Sequence, residues 1–215
     1  MERILVYIRI FPGTEDEFDL RHREIWPEMV AALQQSGIRN YTGFRRGTDV
    51  WYYGECEPDQ AAAFARQGTT DVNRRWAHWF RDIIAEITTP EGDPVRYQEV
   101  FHTDGPPLEG PFERGCFSLV IDPERAQFYD ALHAEPWPEM IAALESSGYR
   151  NYSGFRRGAH VVYYGEYYPD MATVVARIGA TDINARWGMA FEGVITRITD
   201  ADGNLYTARE IHHND

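Results

Sequence analysis

Two stretches of the chain repeat one another in register: HREIWPEMVAALQQSGIRNYTGFRRG begins at His22, and HAEPWPEMIAALESSGYRNYSGFRRG begins at His133. The same offset holds without a gap almost to both ends of the repeated segment. Self-similarity over the length of a small domain indicates a tandem duplication. We therefore predict a first repeat at 1–103, a linker rich in Pro and Gly at 104–113, and a second repeat at 114–215.

The composition excludes several classes of function. A formal net charge of −13 opposes phosphate backbones and acidic membrane surfaces, so we expect neither nucleic acid nor a membrane as partner. All 21 basic residues are Arg, which excludes Schiff-base chemistry on lysine. The first ten residues read as a strand rather than a signal peptide, and we expect a cytoplasmic location. The expected partner is a small-molecule substrate, and a further homodimer stays open.

We expect no metal and no cofactor. Cys56 and Cys116 do not occupy equivalent positions in the two repeats, which argues against a duplicated disulfide or metal site. The sequence contains no closely spaced pair of His on one predicted helix face, no Gly-rich phosphate loop after a strand and no G-x-S-x-G motif. The chemistry is therefore expected to rest on ordinary side chains.

Each repeat reads as strand, helix, two strands, helix and strand. In the first repeat we predict a strand at Arg3–Ile10, a helix that Pro27 forces to kink or restart, and a hairpin at Arg39–Arg46 and Val50–Glu57. The last strand is predicted at Val95–His102. This order is the split β-α-β-β-α-β unit of ferredoxin-like folds.

Two helices are predicted between the hairpin and the last strand. A short Ala-rich helix ends near Gly68, and Thr70 or Asp71 then caps a longer amphipathic helix that extends through Ile83 and Ile84. Helices on one face of the sheet leave the other face in need of cover. We therefore predict an α+β protein whose two ferredoxin-like repeats pack their open sheet faces into an intrachain dimeric α/β barrel with an aromatic interior.

A set of polar and aromatic residues recurs in both repeats. His22 and His133 are the best catalytic candidates, because an imidazole can take or give a proton near neutral pH. Aromatic faces beside hydrogen-bonding groups suit a ligand of sugar size. The recurring candidates for substrate binding are Trp26, Trp137, Tyr41, Tyr152, Arg45, Arg156, Trp76 and Trp187.

Several candidates also have a purely structural interpretation. Trp26 and Trp76 lie on amphipathic helices and are more often core residues than ligand contacts. Asp71 is most simply a helix N-cap. Arg45 and Arg46 are adjacent on a strand, so at most one of them faces the interior.

At these residues the chain resembles the L-rhamnose mutarotase family. The resemblance rests on H-x-x-x-W-P-E beginning at His22 and His133, on G-x-x-N-Y, and on T-D-x-x-x-R-W, each present twice. It implies a dimeric α+β barrel in which both His act as proton donors when a pyranose ring opens and recloses. It also implies that Tyr41, Tyr152, Trp76 and Trp187 line the sugar.

The chain departs from the family pattern at three positions. The family commonly carries Tyr four residues before the His; Tyr129 fits this pattern, whereas Phe18 stands there in the first repeat. The family also commonly carries a second Trp where this chain has Ala77 and Gly188. Phe18 and Tyr129 are therefore further candidates for substrate binding, and the second repeat looks like the more complete site.

Our leading hypothesis is a cofactor-free isomerase that interconverts the anomers of an aldose by general acid–base catalysis on His. One alternative is a cyclase or isomerase of an aromatic or polyketide-like intermediate on the same scaffold, with Arg holding an enolate or carboxylate. Another is a binding protein that sequesters a small molecule without turning it over.

Overall fold

The chain folds into two compact units in a computed structural model that describes residues 1–107 and 110–215. Unit 1 comprises Met1–Tyr97 and Arg209–Asp215, and unit 2 comprises Gln98–Ala208. The unit boundaries therefore fall within the last strand of each sequence repeat. Of the linker predicted at 104–113, positions 108 and 109 lie outside the described residues.

Unit 1 is an antiparallel sheet with four helices. In chain order its elements are β1 (Glu2–Ile10), α1 (Glu15–Arg23), α2 (Pro27–Gln35), β2 (Ile38–Arg46), β3 (Asp49–Cys56), α3 (Gln60–Gly68), α4 (Asp71–Phe80), β4 (Ile84–Glu86), the start of β5 (Arg96–Thr103) and the end of β10 (Tyr206–Asn214). Strand β3 pairs with both β1 and β2, and β10 pairs with the outer edge of β2 from Arg209 to Asn214.

Unit 2 repeats this arrangement. It contains the rest of β5, then β6 (Glu113–Ile121), a 3-10 turn at Pro123–Arg125, α5 (Ala126–Ala134), α6 (Pro138–Ser147), β7 (Tyr149–Arg157), β8 (His160–Tyr167), α7 (Met171–Gly179), α8 (Asp182–Ala190), β9 (Ile195–Arg197) and the start of β10. Here β5 pairs with β7 from Gln98 to Thr103. The predicted α+β class with two ferredoxin-like repeats is confirmed.

The first helical segment restarts at Pro27, as predicted. Helix α1 ends at Arg23, and Trp26 adopts an extended conformation before Pro27 opens α2. Pro is well accommodated in the first helical turn, because N–H groups there have no hydrogen-bond partner within the helix. The break separates the end of α1, which carries His22, from the start of α2.

The prediction for the second helix was partly wrong. Thr70 caps α4 by accepting a hydrogen bond from the Asn73 N–H at 3.2 Å, whereas Asp71 bonds to Arg74 instead. The helix ends at Phe80, and Ile84 lies in the short strand β4 opposite Ile10 of β1. The segment after Phe80 has helical periodicity, but pairing with the edge of β1 makes it a strand instead.

The core of each unit lies between its sheet and its helices. Alternate residues of β1 from Ile4 to Ile10 share one buried cluster with Phe18, Met29 and Phe80 from the helices. Period-two alternation in the strand and helical spacing in α1, α2 and α4 together place these side chains in one layer. No helix within the described ranges is long and apolar enough to span a membrane.

Candidate active site

Each unit contains a cavity between its sheet and its helices. The cavity of unit 1 has a volume of about 350 Å³, and its hydrogen-bonding side chains besides the Trp76 indole are Tyr7, His22, Tyr41, Tyr52, Gln67, Asn73, Thr88 and His212. The cavity of unit 2 has a volume of about 330 Å³, and its corresponding side chains are Tyr129, His133, Tyr149, Tyr152, Tyr163 and Asn184. We call them the first and second cavity. Each cavity lies on the helix side of its own sheet, because Tyr52 and Tyr163 point from their strands towards His22 and His133 on the helices.

An irregularity in β2 turns Tyr41 into the first cavity. Asn40 has a φ of 46°, in the left-handed region that Asn tolerates better than most residues, and the register of β2 shifts there. The Asn40 side-chain amide donates to Glu55 at 3.1 Å, which holds the bulge in place. Asn151 (φ 42°) does the same for Tyr152 in unit 2. The Asn-Tyr sequence thus recurs in both repeats because the Asn forms the bulge that directs the following Tyr into the cavity.

Two glycines make room for the tyrosine rings of the first cavity. A Cβ at Gly43 would lie 2.7 Å from the ring of Tyr52, and a Cβ at Gly54 would lie 2.8 Å from the ring of Tyr41. Tyr41 and Tyr52 stack with ring centroids 5.1 Å apart. The sequence pattern of Gly and Tyr on β2 and β3 therefore builds one aromatic wall of the cavity.

His22 projects from the last turn of α1 and is 5% exposed. Its Nδ1 lies 2.9 Å from the Phe18 carbonyl oxygen. A carbonyl can only accept, so Nδ1 carries the hydrogen and Nε2 has the lone pair. Burial lowers the pKa of His22 to about 4, although the bond to Phe18 opposes this. The ring is therefore neutral at pH 7, and its Nε2 accepts from the Tyr52 hydroxyl.

His133 has the same arrangement in the second cavity, with one addition. Its Nδ1 donates to the Tyr129 carbonyl at 2.9 Å, and its Nε2 accepts from the Tyr163 hydroxyl at 2.8 Å. Burial lowers the pKa of His133. The Tyr163 oxygen in turn lies 2.6 Å from the Tyr129 hydroxyl. Since Tyr163 gives its own hydrogen to His133, Tyr129 donates to Tyr163, and the three groups form a chain.

The two cavities differ in the position of the polar group that accompanies the His–Tyr pair, which in the second cavity is the Tyr129 hydroxyl. Phe18 takes the place of Tyr129 in the first cavity, so Tyr52 has no phenol beside it at that position. Conversely, His212 on β10 lines the first cavity, whereas Phe101 on β5 is its counterpart in the second. The rings of His22 and His212 have centroids 6.3 Å apart.

Neither cavity is lined by a formally charged carboxylate or guanidinium group among the described residues. Residues 1–107 and 110–215 also contain no cluster of three His, Cys, Asp or Glu side chains that could hold a metal ion. Aromatic rings, amides, hydroxyls and neutral imidazoles therefore make up the polar chemistry of both sites.

A family model described as L-rhamnose mutarotase matches residues 3–103 and, a second time, residues 114–213. The chain belongs to the L-rhamnose mutarotase family. The two matches correspond to the two repeats of the sequence, which confirms the resemblance and the duplication.

Two relatives each match one repeat's length of this chain over their whole length. The L-rhamnose mutarotase of Oceanobacillus iheyensis is 31% identical over 106 residues, which is 48% of this chain and 100% of that protein. The L-rhamnose mutarotase of Burkholderia orbicola is 34% identical over the same length and coverage. These matches make the chain a mutarotase-like isomerase.

A solved structure resembles the chain over its full length. A putative monooxygenase from Lactobacillus acidophilus has a TM-score of 0.61 and 8% identity, and the match covers 100% of this chain and 96% of that one. At this identity the likeness shows the fold alone.

The structure brings most of the predicted site residues of this mutarotase-family chain into the two cavities. His22, Phe18, Tyr41 and Trp76 line the first cavity, and His133, Tyr129, Tyr152 and Trp187 line the second. Trp26 and Trp137 lie outside both linings and pack edge to face on Trp76 and Trp187, with centroids 5.4 and 5.1 Å apart. They support the wall of the cavity from behind.

Arg45 and Arg156 also lie outside the linings that the described residues form. Arg45 makes two hydrogen bonds to the buried Asp19, with Nε–Oδ1 at 2.8 Å and Nη2–Oδ2 at 2.6 Å. Arg156 binds Asp130 in the same way. These arginines anchor β2 and β7 to the helices that carry the catalytic candidates.

The sequence did not indicate several of the residues that the structure places in the cavities. Those that matter most for the chemistry are Tyr52 and Tyr163, His212, and Asn73 and Asn184. The recurrence of Tyr52 and Tyr163 was a usable signal, but their neighbours Tyr53 and Tyr164 recur as well. Only the strand register decides which tyrosine faces the helices. His212 does not recur, so no repeat-based argument could find it.

Replacing both Tyr52 and Tyr163 by Phe is expected to lower the rate of turnover about 10-fold or more, because each substitution removes the hydroxyl that bonds to a catalytic candidate. The Tyr53→Phe/Tyr164→Phe variant is the matched control, since these hydroxyls bond to Glu55 and Glu166. Turnover of both variants should be compared at equal protein concentration. Equal losses in the two variants would contradict this role.

Proposed function

We propose that the chain interconverts the α and β anomers of an aldopyranose in both cavities, with His22 and His133 as the acid–base groups. One observation carries this proposal: each cavity presents a buried, neutral imidazole beside a tyrosine hydroxyl within an uncharged aromatic wall. The family relatives whose names specify L-rhamnose support a 6-deoxy aldose as a first substrate to test.

The lining suits a neutral sugar better than an anion. Sugar C–H faces pack on aromatic rings, while hydroxyl groups need hydrogen-bond partners such as Asn73 and Asn184. A carboxylate or enolate would need a cation. Arg45 and Arg156, the cations considered for such a ligand, are bonded to Asp19 and Asp130. Neither arginine is therefore available to bind the anionic intermediate that the cyclase alternative requires.

The proton transfers follow from the hydrogen bonds in the first cavity. The anomeric O1–H gives its proton to the Tyr52 oxygen while Tyr52 passes its own to Nε2 of His22. The O1–H electron pair forms the C1=O1 bond, and the C1–O5 bond breaks with its pair on O5. His22 then returns a proton through Tyr52 to O5. Rotation about C1–C2 and the reverse steps give the other anomer.

The protonation states at rest support this direction of transfer. Burial raises the pKa of Tyr52 well above its ordinary value, so the hydroxyl keeps its hydrogen at neutral pH. His22 is neutral and has its Nε2 lone pair directed to that hydroxyl. His133 and Tyr163 form the equivalent pair in the second cavity. A positioned acid–base group of this kind contributes about 10²- to 10⁴-fold in rate.

NMR saturation transfer between the anomers of L-rhamnose, and then of other aldoses, tests the proposal. The buffer must contain no imidazole or phosphate, because both catalyse spontaneous anomer exchange. We expect an exchange rate that rises linearly with protein concentration for at least one aldose. A rate equal to that of buffer for every aldose would reject the proposed function.

A further inference from the structure

His212 is a half-buried hydrogen-bonding residue that the proposed proton transfers do not use. It lies on β10, which pairs with β2 of unit 1, and its ring lines the first cavity. Its Nε2 is shielded from solvent and has no hydrogen-bond partner among the described residues. After a register shift between Glu210 and His212, His212 pairs with Gly43, which in turn pairs with Tyr52 on β3. A buried nitrogen without a partner is costly unless a ligand or water satisfies it.

The second cavity has its extra polar group on a different wall. There the helix α5 supplies the Tyr129 hydroxyl, and the strand position equivalent to His212 is Phe101. In the first cavity the helix position is Phe18 and the strand supplies the imidazole. The two cavities thus have nearly the same volume, and among their polar differences one hydrogen-bonding group next to the catalytic candidate lies on the strand wall in the first and on the helix wall in the second.

We propose that the two cavities select different aldoses, and that His212 sets the selectivity of the first by hydrogen-bonding a sugar hydroxyl through Nε2. This inference rests on the proposed function and deepens it. The first cavity then prefers a sugar with a hydroxyl directed at the strand wall, and the second a sugar with a hydroxyl directed at Tyr129.

The chemistry of His212 fits a neutral hydroxyl. Burial lowers the pKa of His212 to about 4, and the neighbouring His213 lowers it further, so the ring is uncharged at neutral pH. A neutral imidazole can donate to or accept from a hydroxyl. A site built to hydrogen-bond a substrate hydroxyl discriminates strongly against an analogue that lacks it. We expect about 10-fold or more between epimers that differ at that hydroxyl.

The His133→Ala and His22→Ala variants isolate the two sites, because each leaves one proposed acid–base group in place. Anomer exchange is measured for both variants on a panel of aldopyranoses that differ from one another at a single hydroxyl. We expect the two variants to rank the panel differently, by about 10-fold or more for at least one pair of epimers. The same ranking in both variants would overturn the proposal.

Exchanging the two polar positions tests the role of His212 itself. In the His133→Ala background, Phe18→Tyr/His212→Phe moves this polar group of the first cavity from the strand wall to the helix wall, as in the second. Its ranking of the panel should move towards that of the His22→Ala variant. His212→Gln keeps a hydrogen-bonding group and should lose less activity on the preferred sugar than His212→Phe. An unchanged ranking after the exchange would refute the role of His212.

A binding measurement separates this inference from the proposed function. If the unmodified chain accelerates no anomer exchange, the proposed function fails, and the sugars of the panel are instead titrated while the side-chain ¹⁵N resonances of His212 are followed. A shift at Nε2 with one epimer and not with another supports selection by His212. No response to any sugar of the panel overturns it.

Discussion

Replacing both His22 and His133 by Ala is expected to lower anomer exchange by at least about 100-fold. The reason is that each cavity then loses the imidazole whose Nε2 accepts from its tyrosine hydroxyl. The His78→Ala/His160→Ala variant is the matched control, since both of these imidazoles are exposed and neither lines a cavity. It should retain the rate of the unmodified chain. Retention of more than a tenth of the rate in the His22/His133 variant would contradict the assignment.

The same assignment predicts how activity depends on pH. The neutral form of each imidazole supplies the Nε2 lone pair, so activity is present above its pKa and is lost as pH falls through it. Burial lowers the pKa of His22 to about 4 and lowers that of His133 as well. The acid limb of the rate profile should therefore lie below the ordinary His value of about 6.5. If half of the activity is already lost at or above a pH of about 6.5, groups other than His22 and His133 control the acid limb.

Replacing Asp19 by Asn is expected to destabilise the fold by about 3 kcal/mol, because it leaves the largely buried Arg45 guanidinium without its carboxylate. Asp19 bonds to Arg45 and also to Arg209, and its side chain is 6% exposed. Asp130→Asn is the matched control, since Asp130 is 31% exposed and bonds to Arg156. Its loss should be about 1 kcal/mol. Urea unfolding of both variants measures the difference, and equal losses would contradict this account.

The stability that Asp19 contributes should also depend on pH. Burial alone would raise the pKa of Asp19, but the hydrogen bonds and charges of Arg45 and Arg209 outweigh it, and the pKa lies below its ordinary value. A depressed pKa in the folded state stabilises above the unfolded value and loses that contribution as pH falls through the folded value. The difference between Asp19→Asn and the unmodified chain should therefore shrink in acid.

Much of the fold follows from local sequence, and the exceptions have a common cause. The restart at Pro27, the hairpin and the helix after Thr70 are each set by residues within one or two turns. Strand β4 depends instead on the free edge of β1, which lies far away in the sequence. Likewise, β10 completes the sheet of unit 1 through pairing with β2. Local patterns do not encode such long-range pairings, so the sequence could not show which cavity each last strand would reach.

The same distinction applies to the candidate site. His22, Tyr41 and Trp76 were predictable because they recur and carry the family pattern. Tyr52 was not separable from Tyr53 without the register that pairs Gly43 with Tyr52. His212 belongs to the second sequence repeat. It lines the first cavity because the end of β10, from Arg209 onward, is part of unit 1. A residue that lacks a repeat partner and acts across a long sequence distance leaves no local signal.

We propose that one chain holds two separate sugar sites, each built around its own histidine. A crystal structure of the chain with its preferred aldose tests this most directly. We predict one sugar in each cavity, with the anomeric oxygen within hydrogen-bond distance of the Tyr52 or Tyr163 hydroxyl. Sugar bound elsewhere, with both cavities empty at saturating concentration, would contradict the account.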